Sequence, residues 1–510
     1  HTRLVSDCSS DVCSSDLLDY ASLAQAAERF AAALVAQAGL ANGDRCVLFL
    51  DNRPETAIGL FGTLRAGGVF SVINPTTKAD KLAYVLNDCE AAVLVTQASL
   101  LPVARAAAAQ AASIRRVVVV DPEPTLAAGE IGYDAFLATG PALDPAPRGI
   151  DIDLAMLVYT SGSTGQPKGV MMTHRNMVHA ASSITDYLRS SPDDVVLSVL
   201  PLAFDYGLYQ LLMSVKMGAT LVLEKSFAFP QKVLPLLASE RVTGFPLVPT
   251  MAALIVQLRN FKPEWAASVR YLTNTAAALP PAHIAALQAL FPQARVYSMY
   301  GMTESKRCTW LPPEQLARRP DSVGIAIPGT EVWVADDDGR PLPAGSVGEL
   351  VVRGGHVMQG YWRNPEATDR ALKPGRYPWE KVLHTGDLFR MDDEGFLYFV
   401  GRKDDIIKSR GEKVSPKEVE NVLYALPGIR EAAVVGVPDE ILGRALKAIL
   451  VLDEGASLGA REVIGHCSAR LEDYMVPRLV EFRAELPKTN TGKIRRAALQ
   501  AEAEGRELPP

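Results

Sequence analysis

Short apolar runs that alternate with amphipathic stretches are what most narrows the folds open to this chain. Residues 22–38 carry apolar positions at helical spacing, Asn42-Gly43-Asp44 reads as a turn, and 45–50 as a buried strand. Pro54 suits the first turn of a helix that stops at Gly67-Gly68, ahead of the strand-like 69–73. Two more helix and strand pairs follow, 78–87 with 91–96 and 99–112 with 115–120. The alternation predicts an α/β protein whose large N-terminal body holds mainly parallel sheets covered by helices.

Punctuation along the chain predicts its divisions. The Pro, Gly and Ala-rich stretch 121–149 reads as surface linker. Residues 324–400 turn β-rich, with Asp338-Gly339 as a turn between 331–335 and 348–353, and read as a small β-barrel-like subdomain. Ser415-Pro416-Lys417-Glu418 presents a capping box with proline in the first helical turn, the start of a fresh folding unit. The expected division is an N-terminal domain over 18–402 and a small α+β C-terminal domain over 403–510. Residues 1–17 stand apart, because Ser6 to Leu17 is a near-duplicated polar string without the regions of a signal peptide. A common sequencing-adapter end translates as Cys-Ser-Ser-Asp-Leu, as at Cys13 to Leu17, so this segment reads as adapter sequence joined to a truncated gene.

Bulk properties exclude several classes of function. A length of 510 residues exceeds what one core organises, and 48% hydrophobic with 22% charged residues is ordinary for a globular protein. No apolar run approaches the roughly 18 residues of a membrane span, so a cytoplasmic protein is expected. A net charge of −6, with no basic cluster interleaved with aromatics, argues against nucleic acid and anionic membranes as partners. The six cysteines form no C-x-x-C pair, which disfavours a zinc site or a disulfide framework.

The most informative stretch is Tyr159-Thr-Ser-Gly-Ser-Thr-Gly-Gln-Pro-Lys-Gly-Val170, directly after the apolar strand 154–158. A loop there leaves the strand's C-terminal end, where open α/β sheets place ligands. Gly162 and Gly165 permit close backbone approach, Thr160, Ser161, Ser163 and Thr164 offer hydroxyls, and Lys168 offers a mobile positive charge. Together they suit a polyphosphate. The loop is not a Walker A sequence, because Pro167 stands where the second glycine belongs. His174 to His179, with no paired carboxylate or nucleophile, reads as structural.

This loop resembles the signature of the AMP-forming acyl-CoA synthetase, luciferase and peptide-synthetase adenylation-domain superfamily, and later segments resemble its other motifs in order over about residues 18–500. Ser298-Met-Tyr-Gly-Met-Thr-Glu304 is similar to the aromatic-Gly-x-Thr-Glu motif. That implies Tyr300, beside Gly301, on adenine, Thr303 at the phosphate and Glu304 helping to hold Mg²⁺. One carboxylate suffices for magnesium, which shares phosphate oxygens. Thr385-Gly386-Asp387 resembles the ribose motif, with Asp387 accepting from both hydroxyls. Gly401 to Lys408 resembles the hinge motif, with Arg402 reaching the nucleotide and Asp404 at the pivot. Pro487-Lys-Thr-Asn-Thr-Gly-Lys493 resembles the C-terminal lysine motif, implying Lys493 as the catalytic cation of adenylation.

The resemblance implies ATP-dependent conversion of a carboxylic acid to an acyl adenylate with loss of pyrophosphate. Transfer to the thiol of CoA or of a phosphopantetheine-bearing carrier protein follows. It also implies a mobile C-terminal domain that turns about Asp404 and replaces Lys493 with Lys408, Arg410 and Gly411 for the thiol step. A homodimer is left open.

Departures from the family pattern concern the substrate. Thr275-Ala276-Ala277 stands where the adenine floor is commonly Gly-Gly-Ala, and Pro201-Leu-Ala-Phe-Asp-Tyr-Gly207 stands where acyl-CoA ligases often have Pro-Leu-Phe-His. Phe204, Asp205, Tyr209, Met299 and Met302 are the expected acyl-pocket residues. Asp205 reads either as a carboxylate for a substrate α-ammonium or as a helix cap. The run from Pro201 to Lys306 resembles the ligase subgroup found beside exosortase genes. Two alternatives stay open: an amino-acid adenylating enzyme charging a carrier protein, and a nucleotide-binding regulator without turnover.

Overall fold

The computed structural model describes residues 17–123, 125–138, 143, 144, 146, 148–161, 167–275, 279–409, 412–439, 443–471, 473–488 and 494–505. They fall into two compact units. The first holds the described residues through Val332 together with Val352–Leu383, and the second holds Trp333–Val351 and those from His384 onward. The strands Thr330–Ala335, Val347–Gly354 and Lys381–Met391 each carry the chain from one unit into the other.

The first unit contains two large sheets. One has eight strands in the order Gly360–Tyr361, Pro167–Thr173, Leu154–Ser161, Val69–Val72, Arg45–Phe49, Ala91–Gln97, Arg116–Val120, Glu130–Gly132. Its pairs are parallel apart from the antiparallel Leu154–Ser161 and Pro167–Thr173 hairpin and the short edge strand beside it. Ala91–Gln97 is buried at every position, which is why it reads as a continuous apolar run rather than an alternating one. The other sheet has seven strands, ordered Ile325–Ala326, Thr309–Trp310, Arg295–Tyr300, Tyr271–Asn274, Gly244–Leu247, Val195–Ser198, Thr220–Leu223. Its last five strands pair in parallel and the first two antiparallel.

Several boundaries differ from the sequence reading for identifiable reasons. Helix Tyr20–Ala38 begins two residues earlier than expected because Asp19 accepts a hydrogen bond from Ser22 N and caps it. The expected linker 121–149 instead supplies the strand Glu130–Gly132 and the helix Tyr133–Leu137. Phe136 there is fully buried with its ring 5.7 Å from that of Phe30, so tertiary burial overrides a loop-like composition. The helix expected over 99–112 is a 3₁₀ turn at Ala98–Leu100 followed by Leu101–Ala108.

The small C-terminal domain belongs to the second unit. Strands Ile429–Asp439 and Gly443–Leu452 pair antiparallel, Leu479–Phe482 adds in parallel, and helices Pro416–Tyr424, Ala460–Ser468 and Arg496–Ala503 accompany them. Val419, Leu423, Val434, Ala448, Leu450 and Val463 form its core. Buried Glu420 accepts two hydrogen bonds from Arg496 at 2.6 and 2.8 Å and one from Val434 N at 2.9 Å. The expected capping box at Ser415 does not form, because the Ser415 hydroxyl donates to the Val400 carbonyl and makes no cap bond.

Candidate active site

Parallel strands of the seven-stranded sheet deliver three loops from their C-terminal ends. Residues 201–207 follow Val195–Ser198, Thr275 follows Tyr271–Asn274, and Gly301 to Glu304 follow Arg295–Tyr300. Asn274 is in register with Ser298, so Thr275 and the Met299-Tyr300 end leave the sheet as neighbours, in the position where α/β sheets bind ligands. Thr275 is buried, whereas Ala276 and Ala277 lie outside the described residues.

Gly301 is required by the return of the chain. A Cβ there would lie 2.3 Å from the Lys306 carbonyl oxygen and 2.9 Å from Arg307 Cα. Cys308 N donates to Tyr300 O at 2.9 Å and Lys306 N to Met302 O at 2.7 Å, closing a tight loop in which Lys306 takes φ +61°. Thr303 and Glu304 sit at the tip of this loop, both partly exposed.

Glu304 is held by a residue that sequence reasoning missed. Tyr361 Oη donates to Glu304 Oε1 at 2.7 Å, and Met358 N donates to the Glu304 carbonyl at 2.8 Å. Tyr361 stands on the edge strand paired with Pro167–Thr173, and Lys168 Nζ lies 5.4 Å from the centre of its ring. One tyrosine therefore ties the glutamate of one sheet to the lysine of the other. On Pro167–Thr173 and its hairpin partner, Lys168 is in register with Thr160, and Ser161 ends the partner strand. The two strands that flank the glycine and hydroxyl stretch therefore pair antiparallel. Gly162, Ser163, Thr164 and Gly165 lie outside the described residues. Among the described residues no group of three or more His, Cys, Asp or Glu converges on a metal position. A lone carboxylate with one oxygen engaged by a neutral phenol, beside the Thr303 hydroxyl, fits a magnesium ion that draws its remaining ligands from phosphate and water.

On the expected acyl side, helix Asp205–Met217 begins one residue before the reading of Asp205 as a cap allows. Phe204 occupies the N-cap position without a side-chain cap bond, and Asp205 is the first helical residue, where its charge complements the helix dipole. Gly207 lets this turn seat on the preceding loop, since a Cβ would meet the Pro201 carbonyl oxygen at 2.4 Å. Tyr206 Oη donates to the Thr273 carbonyl at 2.8 Å. Tyr209 and Met299 are buried, and the Met299 sulfur accepts from Tyr187 Oη at 3.0 Å. Met302 is half-buried. The His174 to His179 segment forms the start of helix His174–Leu188, and the His179 ring stacks on that of His356 with centroids 5.6 Å apart. Burial, reinforced by His179, pushes the His356 imidazole down to about 3, so it is neutral at ordinary pH.

The second unit holds the Thr385-Gly386-Asp387 turn. Gly386 takes φ +71° between Thr385 and Asp387, a left-handed turn that suits glycine. Asp387 is buried, and Arg402 Nε lies 3.3 Å from its Oδ1. Glu349 anchors the turn: its Oε1 accepts from Gly386 N at 2.8 Å, while Lys403 Nζ and His384 Nδ1 lie 3.4 and 3.5 Å from its Oε2. Burial works to raise the Glu349 carboxyl, yet the His384 and Gly386 hydrogen bonds and the Lys403 charge together hold it down at about 2. No motif marks Glu349, because its partners come from three separate stretches. Asp404 lies in the 3₁₀ turn Lys403–Asp405 and Lys408 in the strand Ile407–Ser409, in register with Lys413. Arg410, Gly411 and Lys493 lie outside the described residues, with Lys488 and Ile494 bridging on either side of Lys493.

A family model for AMP-binding enzymes matches residues 10–362, and one for the AMP-binding enzyme C-terminal domain matches 418–493. A long-chain-fatty-acid–CoA ligase of Bacillus subtilis (strain 168) is 32% identical, over 92% of this chain and 88% of the relative. A feruloyl-CoA synthase of Amycolatopsis sp is 36% identical, over 94% and 92%. Among solved structures, the anthranilate CoA ligase AuaEII in complex with anthranoyl-AMP superimposes with a TM-score of 0.86 at 27% identity, covering 99% of this chain and 94% of that one. The chain belongs to the AMP-binding enzyme family. It is an AMP-forming acid–thiol ligase of the acyl-CoA synthetase type, using ATP, CoA and a small carboxylic acid. No described helix is long and apolar enough to cross a membrane.

Proposed function

We propose how the residues divide the two half-reactions. In the first, a carboxylate oxygen of the acid attacks the α-phosphorus of ATP, the bond to pyrophosphate breaks, and an acyl adenylate forms. The loop 160–165 and Lys168 hold the phosphates, Thr303 meets the α-phosphate, Thr275, Ala276, Ala277, Tyr300 and Gly301 form the adenine site, and Asp387 with Arg402 takes the ribose. Lys493 offsets the meeting of two anions and the charge that grows in the transition state. A magnesium ion held by Glu304 supplies Lewis-acid stabilisation of the phosphate oxygens when bound.

In the second half-reaction a thiolate attacks the acyl carbon and AMP leaves. Asp404 acts as the hinge between the two steps, with Lys408 and Gly411 serving the thiol. The observation that carries this assignment is the Tyr361 bond to Glu304 beside Lys168, which brings two separately recognised motifs together through one side chain.

The acid is not an α-amino acid in this reading. Asp205 is the carboxylate such a substrate would need, and it shares its surroundings with the buried Lys306, whose charge it favours. An incoming α-ammonium would meet a cation as well as an anion. CoA is the acceptor in preference to a carrier protein, in keeping with the CoA ligases that the chain is similar to. The test is pyrophosphate release across short, long, aromatic and amino acids, with CoA and a phosphopantetheinylated carrier protein offered in parallel. Release with simple acids and CoA, unchanged by Asp205→Ala, is expected. Preferred turnover of an amino acid, abolished by Asp205→Ala, would reverse the substrate assignment.

A further inference from the structure

Where Glu304 turns to Tyr361, the next two charged residues turn to helix Asp205–Met217. Lys306 Nζ lies 5.7 Å from the centre of the Tyr209 ring, and Arg307 Cζ lies 5.2 Å from that of Tyr206. Both cations are buried, Lys306 at 5% exposure and Arg307 at 4%. Among the described residues neither has a carboxylate within ion-pair distance, and Lys306 Nζ, Arg307 Nε and Nη1 and Tyr209 Oη have no hydrogen-bond partner.

Burying a charge without a partner is costly, and the buried carboxylates Asp194 and Glu420 each have a full partner. Arg270 donates to both oxygens of buried Asp194 at 2.9 and 2.8 Å, and Arg496 does the same with Glu420. Lys306 has no such arrangement. Its loop backbone also holds the left-handed φ of +61°, which a non-glycine residue adopts at some cost. An unpaired ammonium and an unpaired phenol therefore converge on the helix whose first turn carries Phe204 and Asp205, the residues of the proposed acyl side.

We propose that Lys306 Nζ and Tyr209 Oη receive a second acidic oxygen group of the substrate, so that the enzyme activates dicarboxylic or comparably oxygenated acids rather than plain alkyl ones. This rests on the acyl-side reading above. The activated carboxylate goes to the phosphate side with Glu304, and the second carboxylate supplies the acceptor that Lys306 and Tyr209 lack. Arg307 adds positive potential from the neighbouring turn of the helix.

The experiment is pyrophosphate release by the purified full chain with ATP, magnesium and CoA, using chain-length-matched monocarboxylic and α,ω-dicarboxylic acids. At least one dicarboxylate is expected to exceed its monocarboxylic match in kcat/KM by about tenfold or more, since a site built to bond a polar group rejects the analogue lacking it. Lys306→Met should remove that preference while leaving monocarboxylate turnover within about threefold, and Lys306→Arg should retain part of it. Tyr209→Phe, which keeps the ring and its packing, should lower kcat/KM for dicarboxylates more than for their monocarboxylic matches and serves if Lys306→Met does not fold. A wild type that prefers plain alkyl acids, or a Lys306→Met that lowers both series equally, would overturn the proposal while the ligase assignment stands. Absence of pyrophosphate release with every acid would overturn both.

Discussion

Tyr361 Oη donates a 2.7 Å hydrogen bond to Glu304 Oε1 across 57 residues of sequence. The phenol orients the carboxylate. Tyr361→Phe keeps the ring beneath Lys168 and removes this bond. Pyrophosphate release should fall about tenfold, the effect of one hydrogen bond to a charged acceptor, and the magnesium concentration for half-maximal rate should rise. A variant with unchanged rate and unchanged magnesium dependence would remove Tyr361 from the site.

Gly301→Ala places a methyl group 2.3 Å from the Lys306 carbonyl oxygen, and a backbone atom cannot swing aside as a side-chain tip can. The loop carrying Thr303 and Glu304 must shift. A loss of about 1–3 kcal/mol in unfolding free energy is expected, with a larger proportional loss of adenylation than of ATP binding. Chemical denaturation together with nucleotide titration measures both.

Lys493→Ala should separate the half-reactions. Removal of a positioned charge at the transition state costs about 100- to 1000-fold, so pyrophosphate release should collapse by that factor. Thioester formation from a supplied acyl adenylate and CoA should persist, because the charge is not needed where AMP leaves. Equal loss in both assays would contradict the assignment.

Glu349 gives the protein a pH signature. Its carboxyl is held at about 2 in the folded protein against an ordinary 4.5, so folding favours the ionised form. A depressed carboxyl contributes stability that is fully present above its unfolded value and is lost as pH falls through the folded one. Glu349→Gln should therefore lower the thermal midpoint at neutral pH, and the gap to wild type should close between about pH 4.5 and 2. A gap that does not vary with pH would mean that the charge is not what stabilises the turn.

Local chemistry carried much of this protein in plain view. Continuous apolar runs at 46–49 and 91–95 marked buried strands because every side chain there is buried. Gly301 and Gly386 were legible because their backbone demands restrict residue type. Readings failed where one local option competed with a distant one. Ser415 looked like a cap but gives its proton to Val400, Asp205 lost the cap position to Phe204, and 121–149 looked like linker until Phe136 was buried on Phe30.

The sequence by itself determined the alternating α/β architecture, because backbone preference acts over a few residues, and its resemblance to a known superfamily implied the reaction class. Only the tertiary structure decided that Tyr361 bonds to Glu304, that Glu349 holds the Gly386 turn, and that Lys306 is buried against Tyr209 without an acceptor. A side chain's partner depends on which strands the sheet brings side by side, and that neighbourhood exists only once the whole core has formed.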